Sequence, residues 1–321
     1  MSVAINISKN AIRLTSSVIS LFVLVAIMLM LAFGGYTQWD ASQVYRAADA
    51  EHFAKYKPTT ANKGLTFKEL QAINPEVCAW LTVYGTHIDY PVTQASDNIK
   101  YINTDATGQH SLSGSLFLDS SNAKDFSDFA SIIFGHHMEK DTMFGEIAFF
   151  GQKSYFNDRR YGTLYYGGKR HGLEFFAFMH VDAYDSTVYH TKFTGVTARQ
   201  TYLDGIERRA LNLREGVTVS TDDRLVLLST CSEDSTNGRD ILVGRITDQV
   251  PADPFKTDDA QKKPRTLVDS LSGWWTQLPL GARIALIALP LLLVFLLLIL
   301  LRRKKRAPRE EQISMRNERD N

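Results

Sequence analysis

The chain has 321 residues, of which 44% are hydrophobic and 22% charged, and a formal net charge of +1. Once its apolar ends are set aside, that length leaves room for one large domain or two small ones. Residues 35 to 282 carry 25 basic against 31 acidic groups, a poor surface for polyanions, so no nucleic-acid partner is expected.

The first element in chain order is apolar. Val18 to Phe33 contains only Ser20 as a polar residue, and Leu14 to Ser17 extend it. About 20 such residues cross a hydrocarbon core of roughly 30 Å. Lys9 and Arg13 precede the segment, and the first acidic residue is Asp40. The reading is an uncleaved anchor over 14–34 with residues 1–13 cytoplasmic. A cleaved signal peptide competes, but the stretch is long for one and no small-x-small site follows cleanly. Residues 35–64 are polar and weakly helical, a stalk or an N-terminal helix packed on the domain that follows.

From Leu65 a globular pattern begins and runs to about residue 249. Phe67 to Ile73 has helical apolar spacing and stops before Asn74-Pro75. Strand-like runs follow at Trp80–Tyr84, Ile88–Val92, Ser115–Leu118, Ala130–Phe134, Gly162–Tyr166 and Leu173–Tyr184, with two more around Cys231 and Arg239. Gly, Asn, Asp and Ser clusters separate them, as in an all-β or mixed barrel. A short helix is expected at Met143–Phe150. A longer one is expected within Thr197–Arg214, where Leu203, Ile206, Ala210 and Leu213 share a face.

After Ile246 the pattern decays into a linker over 250–282. A second apolar span, Ile284 to Leu301 within 283–301, is followed by Arg302-Arg-Lys-Lys-Arg306 in a basic tail, 302–321. Basic flanks favour the cytoplasmic side, so both termini are expected in the cytoplasm, with the middle domain outside and the membrane as a partner.

The chemistry concentrates at strand ends. Arg224-Leu-Val-Leu-Leu-Ser-Thr-Cys231 is an apolar run ending in a thiol, and Arg239 opens the next run. As adjacent antiparallel strands these would set a thiol beside a guanidinium. Ile132-Ile-Phe-Gly-His136-His137 ends another apolar run in imidazole. Thiol, imidazole and guanidinium are the parts of a cysteine acyl-transfer site: nucleophile, acid/base and oxyanion stabiliser. His136 is the first candidate for the acid/base and His137 the alternative, since neighbours on an extended chain face opposite ways. Arg239 stays charged and cannot act as a base. The two cysteines, Cys78 and Cys231, could instead form one disulfide. Cys78, however, lies in the apolar strand entry Pro75-Glu-Val-Cys-Ala-Trp80 and reads as a packing residue. The other histidines show no metal-ligand spacing. His136-His137 with Glu139 and Asp141 is a weak metal motif, since adjacent histidines rarely bind one ion; no metal is expected.

Taken together, Leu228-Ser-Thr-Cys231 with Arg239 downstream and Gly135-His136 upstream resemble the sortases, the cysteine transpeptidases of Gram-positive surfaces. Asn74-Pro75-Glu-Val-Cys-Ala-Trp80, Ile88-Asp-Tyr-Pro-Val92, Gly114-Ser-Leu-Phe-Leu-Asp119, Gly135-His-His-Met138 with Thr142-Met-Phe-Gly145, and the late inserted helix resemble class B in particular. The resemblance covers Leu65 to Ile246. It implies a mainly β fold: a closed sortase-like barrel with short helices and one longer helix between late strands, here flanked by two transmembrane helices. It also implies Cys231 as nucleophile, His136 as acid/base, Arg239 as clamp on the oxyanion or substrate, and no organic cofactor. Ser229 and Thr230 would line the substrate groove, and Glu233 would support it. The partners implied are surface proteins or pilins with a C-terminal sorting motif, cut after Thr. The amine acceptor would be a peptidoglycan precursor or a pilin lysine. The second span departs from typical class B members and resembles pilus-building sortases. An Asp-Pro-aromatic lid is not found ahead of the domain; Asp253-Pro-Phe255 follows it. Two rival functions are a membrane-held cysteine peptidase and a non-enzymatic surface protein.

Overall fold

A computed structural model describes residues 2–59, 65–138, 141–231, 237–256 and 281. The chain divides into two compact units, one of residues 44–262 and the other of residues 1–43 with 263–321. In the second of these the described part is helical. Helix α1 (Ser2–Ala48) runs for 47 residues without a break, about 70 Å at 1.5 Å per residue. Its segment Val18–Asp40 is long and apolar enough to cross a membrane. Leu21, Phe22, Met30 and Phe33 are all exposed, and a helix apolar all round suits a lipid environment better than water. The expected span at 283–301 and the basic tail lie outside the described residues.

The other unit is a β-barrel. Its strands are β1 (Val77–Val83), β2 (Asp89–Thr93), β3 (Leu116–Leu118), β4 (Ala130–Phe134), β5 (Tyr161–Tyr166), β6 (Lys169–Asp182), β7 (Ala210–Leu213), β8 (Arg224–Cys231) and β9 (Gly238–Thr247). They hydrogen-bond in the order β5-β1-β2-β3-β4-β8-β9-β6, and a further β5–β6 pairing closes the ring; β7 is appended to β6. Closure into a mainly β, eight-stranded barrel removes the exposed edges an open sheet would present.

Strand β6 makes closure possible by its length. Its first half pairs with β5, from Lys169↔Tyr166 to Glu174↔Tyr161. Its second half pairs with β9, as far as Asp182↔Gly238. Glu174 lies where the two ladders overlap and is almost fully buried. Its carboxylate accepts from Arg160 Nη2 at 2.6 Å and Arg245 Nε at 2.8 Å, so one side chain ties β6 to β9 and to the residue that leads into β5. Desolvation pushes its pKa up, but the two guanidinium groups outweigh this and hold it below the ordinary carboxylate value.

The barrel has two apolar layers. Val226, Leu228, Leu242 and Ile133 fill the interior with Trp80, Tyr90, Phe144 and Phe175. On the outer face Leu225, Leu227, Ile241 and Val243 pack under helix α4 (Gly195–Arg209), through Tyr202, Leu203 and Ile206. This is period-two alternation feeding two cores from one strand pair. Helix α2 (Leu65–Ile73) precedes β1. Within the 44–262 unit the Tyr90 hydroxyl donates to the Ala48 carbonyl at 2.9 Å and accepts from Met143 N at 3.0 Å.

Two helices differ from expectation. The segment expected to be helical at Met143–Phe150 forms a 3-10 turn at Ile147–Gly151, and helix α3 (Lys153–Asp158) follows it. The long late helix ends at Arg209, and Ala210–Leu213 become β7. Leu213 is half exposed, so its helical spacing with Leu203 and Ile206 was coincidental. The open edge of β6 pairs with Ala210, Asn212 and Leu213, and Asn212 donates to the carbonyls of Phe150 and Gly151 at 2.8 Å each. Tertiary pairing wins over local propensity there.

A folded carboxylate with a lowered pKa contributes stability above its unfolded value, and loses it as pH falls through the folded value. Glu174→Gln should therefore cost about 2–3 kcal/mol near neutral pH, less than a fully buried pair because Arg160 is partly exposed. Urea unfolding near pH 7 and again below about pH 4 should show the wild-type advantage shrinking in acid. A constant difference across that range would contradict the ion-pair account.

Candidate active site

The register of three neighbouring strands places the chemical residues. Strands β4 and β8 are parallel, with Phe134 opposite Ser229. The Gly135 amide then donates to the Ser229 carbonyl at 3.2 Å, extending the ladder one residue further. Two positions beyond Phe134 stands His136, and two beyond Ser229 stands Cys231. On the other side β8 and β9 are antiparallel, and Cys231 is paired with Arg239. Positions 136, 231 and 239 thus form one row across β4, β8 and β9, at the end where two strands finish and the third begins. Alternation gives His137 the opposite parity, and its backbone forms a bridge with Met143.

Gly135 allows β4 to end this way. A Cβ there would lie 2.4 Å from Leu116 Cδ2 and 2.7 Å from Phe144 Cδ2. Only glycine lets the chain pass between these side chains and present the next residue to the groove. The His136 carbonyl accepts from Phe144 N at 3.0 Å, and its Nε2 donates to the Ile102 carbonyl at 2.8 Å.

A groove of about 410 Å³ opens at His136 and Arg239, lined also by Phe117, Phe134, Tyr189, Ser229 and Thr230 among others. Its floor is aromatic: Phe134 packs at 5.4 Å from Phe117 and stacks with Tyr189 at 6.1 Å. Tyr189 also hydrogen-bonds Ser229 at 2.9 Å, hydroxyl to hydroxyl. Arg239 donates from Nη1 to the Gly238 carbonyl at 2.9 Å, leaving further donors of its five. Next to it, Asp240 is buried and accepts from His180 Nδ1 at 2.9 Å. Thr230, opposite Asp240, is 2% exposed, and its hydroxyl has no hydrogen-bond partner among the described residues.

Of the residues singled out from sequence, His136, Arg239, Ser229 and Thr230 all line this groove, and Cys231 ends the strand that runs beneath it. Glu233 lies outside the described residues, as does Glu139. Among the described residues no group of three or more His, Cys, Asp or Glu side chains could hold a metal ion. Sequence reasoning missed Tyr189, Phe134, Phe117 and Ile102. Phe134 and Phe117 were visible as strand residues, but Tyr189 comes from the segment before α4, which carried no periodic signal.

Cys78 is a free thiol on β1, separated from β8 by three strands around the wall. It donates weakly to the Val92 carbonyl at 3.5 Å, and burial pushes its pKa up to about 12. A thiol so held is protonated at neutral pH and a poor nucleophile. In Asp253-Pro-Phe255 the Phe255 ring packs against Gly85, and the Arg159 guanidinium lies 5.4 Å from that ring.

No family model matches the chain. Solved structures do. The sortase B from the type II pilus of Streptococcus pneumoniae is 44% identical, covers 57% of this chain and 99% of its own, and superposes with a TM-score of 0.51. The chain belongs to the class B-like sortases. A Streptococcus pyogenes class B sortase involved in pilus biogenesis is 39% identical, with 57% and 99% coverage and a TM-score of 0.52. The curated sortase B of Listeria monocytogenes is 29% identical over 181 residues, 56% of this chain and 73% of that protein. Membership makes this sortase a cysteine transpeptidase by family.

A Cys231→Ala chain retains Cys78 alone. Folded, it should react with a thiol reagent at about pH 8 many times more slowly than after denaturation, because a pKa of about 12 leaves roughly one thiol in 10⁴ ionised. Rapid stoichiometric labelling of the folded variant would show that Cys78 is not held this way.

Proposed function

We propose that this sortase is anchored at the outer face of the membrane and joins pilin subunits through an acyl-enzyme on Cys231. The observation that carries the reading is the pairing of Cys231 with Arg239 at the end of β8, beside a groove that both His136 and Arg239 line.

In this mechanism the Cys231 thiolate attacks the carbonyl carbon of the sorting-motif Thr. The negative charge that develops on the carbonyl oxygen is met by the Arg239 guanidinium, which cannot lose its proton and so serves as a donor throughout. His136 gives a proton to the departing amine as the peptide C–N bond breaks, leaving a thioester on Cys231. An incoming primary amine then loses its proton to His136, attacks the thioester, and releases Cys231 as a new amide forms. Ser229, Thr230 and the aromatic floor hold the motif, with Glu233 in a supporting role. No organic cofactor is needed for either half-reaction.

Two lines support a pilin lysine as the acceptor. The 44% and 39% identical structures are of a sortase B from a type II pilus and a class B sortase involved in pilus biogenesis. The sequence also carries a second apolar span followed by five consecutive basic residues, which fits a two-pass enzyme with the catalytic domain outside and both termini in the cytoplasm. A peptidoglycan precursor is the alternative acceptor.

The test uses the full chain in nanodiscs with sorting-motif peptides, with and without a pilin carrying its acceptor lysine. Ligated product that appears only with pilin is expected, and hydrolysis at equal rate in both cases would instead make the chain a peptidase. Cys231→Ala should abolish acylation. Arg239→Lys should lower turnover by about 10²-fold or more, since a point charge cannot replace the planar fork; near-wild-type turnover would remove Arg239 from the mechanism.

A further inference from the structure

We infer that His136 exchanges its catalytic proton through Nδ1, with Nε2–H held on the main-chain carbonyl of Ile102, and that Glu76, Tyr101 and Gly114 are positioning residues for that carbonyl. This rests on the acid/base reading of His136 given above.

The bond itself fixes the tautomer. His136 Nε2 lies 2.8 Å from the Ile102 oxygen. A carbonyl only accepts, so the hydrogen sits on Nε2 and the lone pair of the neutral ring sits on Nδ1. A ring flipped by half a turn would put carbon against that oxygen and lose the bond. The imidazole therefore has one orientation and one nitrogen for proton transfer.

The acceptor is held unusually firmly for a loop carbonyl. Ile102 is the last residue of a 3-10 turn, Lys100–Ile102. Asp97 Oδ1 accepts from the amides of Ile99 and Lys100 at 2.9 Å each, fixing the start of the turn. Glu76, at the entry to β1, accepts from Lys100 Nζ and from the Tyr101 hydroxyl, both at 2.6 Å. Those same two bonds hold the Glu76 pKa below its ordinary value, so it remains a carboxylate acceptor. Tyr101 is 1% exposed and also accepts from Asn74 Nδ2 at 2.9 Å. Its carbonyl receives the Ser115 amide at 3.0 Å.

Gly114 completes the arrangement. It has φ of +58°, and a Cβ built there would lie 2.5 Å from both the Ile102 and Tyr101 oxygens. A side chain at 114 would push directly on the atom that holds His136. Because Ile102 and Asn98 also line the groove, the turn that orients the imidazole is one that a bound peptide touches.

The test is nitrogen NMR on the full chain, ¹⁵N-labelled at histidine and held in nanodiscs, with His136 signals assigned by their loss in His136→Gln. Long-range proton–nitrogen couplings should report the Nε2–H tautomer for neutral His136 in the wild type. In Gly114→Ala and in Tyr101→Phe they should show a mixture of tautomers, with kcat down by up to about 100-fold and KM changed little. Tyr101→Phe removes one oxygen and keeps the test available should Gly114→Ala fail to fold. An Nδ1–H or averaged tautomer in the wild type overturns the inference, as does a loss of kcat in Tyr101→Phe with the tautomer unchanged. Full turnover by His136→Gln would sink the acid/base reading itself, which the tautomer result alone does not touch.

Discussion

The register of β4 against β8 is the constraint on which the rest of this molecule depends. Parallel pairing with Phe134 opposite Ser229 puts His136 and Cys231 each two residues beyond that last pair. A slip of one residue would move position 136 to the other face of the sheet, because side chains alternate with period two. That register is fixed by burial on both faces. Ile133, Val226 and Leu228 belong to the barrel interior, whereas Ile132, Leu225 and Leu227 belong to the layer under α4. A slipped strand would carry apolar residues into the wrong layer at every position at once.

Closure of the barrel reinforces this from the far side. Strand β9 must pair with β8 to set Arg239 opposite Cys231, and with β6 to reach β5. The Glu174 ion pairs sit at that closure and have no contact with the groove. Stability and chemistry are thus served by different parts of one ring. The cost of orienting the site falls on a few local devices: glycine at 135, where Leu116 and Phe144 leave no room for a side chain, and the moored turn ending at Ile102.

Much of this was legible in the sequence. The strand Ala130–Phe134 ends where its apolar run ends, and the pairing of Cys231 with Arg239 followed from two apolar runs joined by a polar turn. The motifs around Cys231 and Gly135 pointed to the family to which the structural relatives assign the chain. What was illegible depends on distant parts of the chain. Strand β7 exists because β6 has an open edge 31 to 36 residues upstream, with Met179 opposite Ala210 and Ala177 opposite Leu213. Tyr189 reaches the groove from a segment without periodicity. The contact between His136 and Ile102 joins residues 34 apart through a backbone oxygen, which no residue type can signal.

The central claim is that one of two thiols carries the acyl group because of where the sheet places it. Brief incubation of the full chain with a sorting-motif peptide, acid quenching and peptide mapping by mass spectrometry tests it directly. The account predicts a thioester to the motif's Thr on Cys231 and none on Cys78. An acyl group on Cys78, or an acylated enzyme that forms equally well in Cys231→Ala, would contradict it.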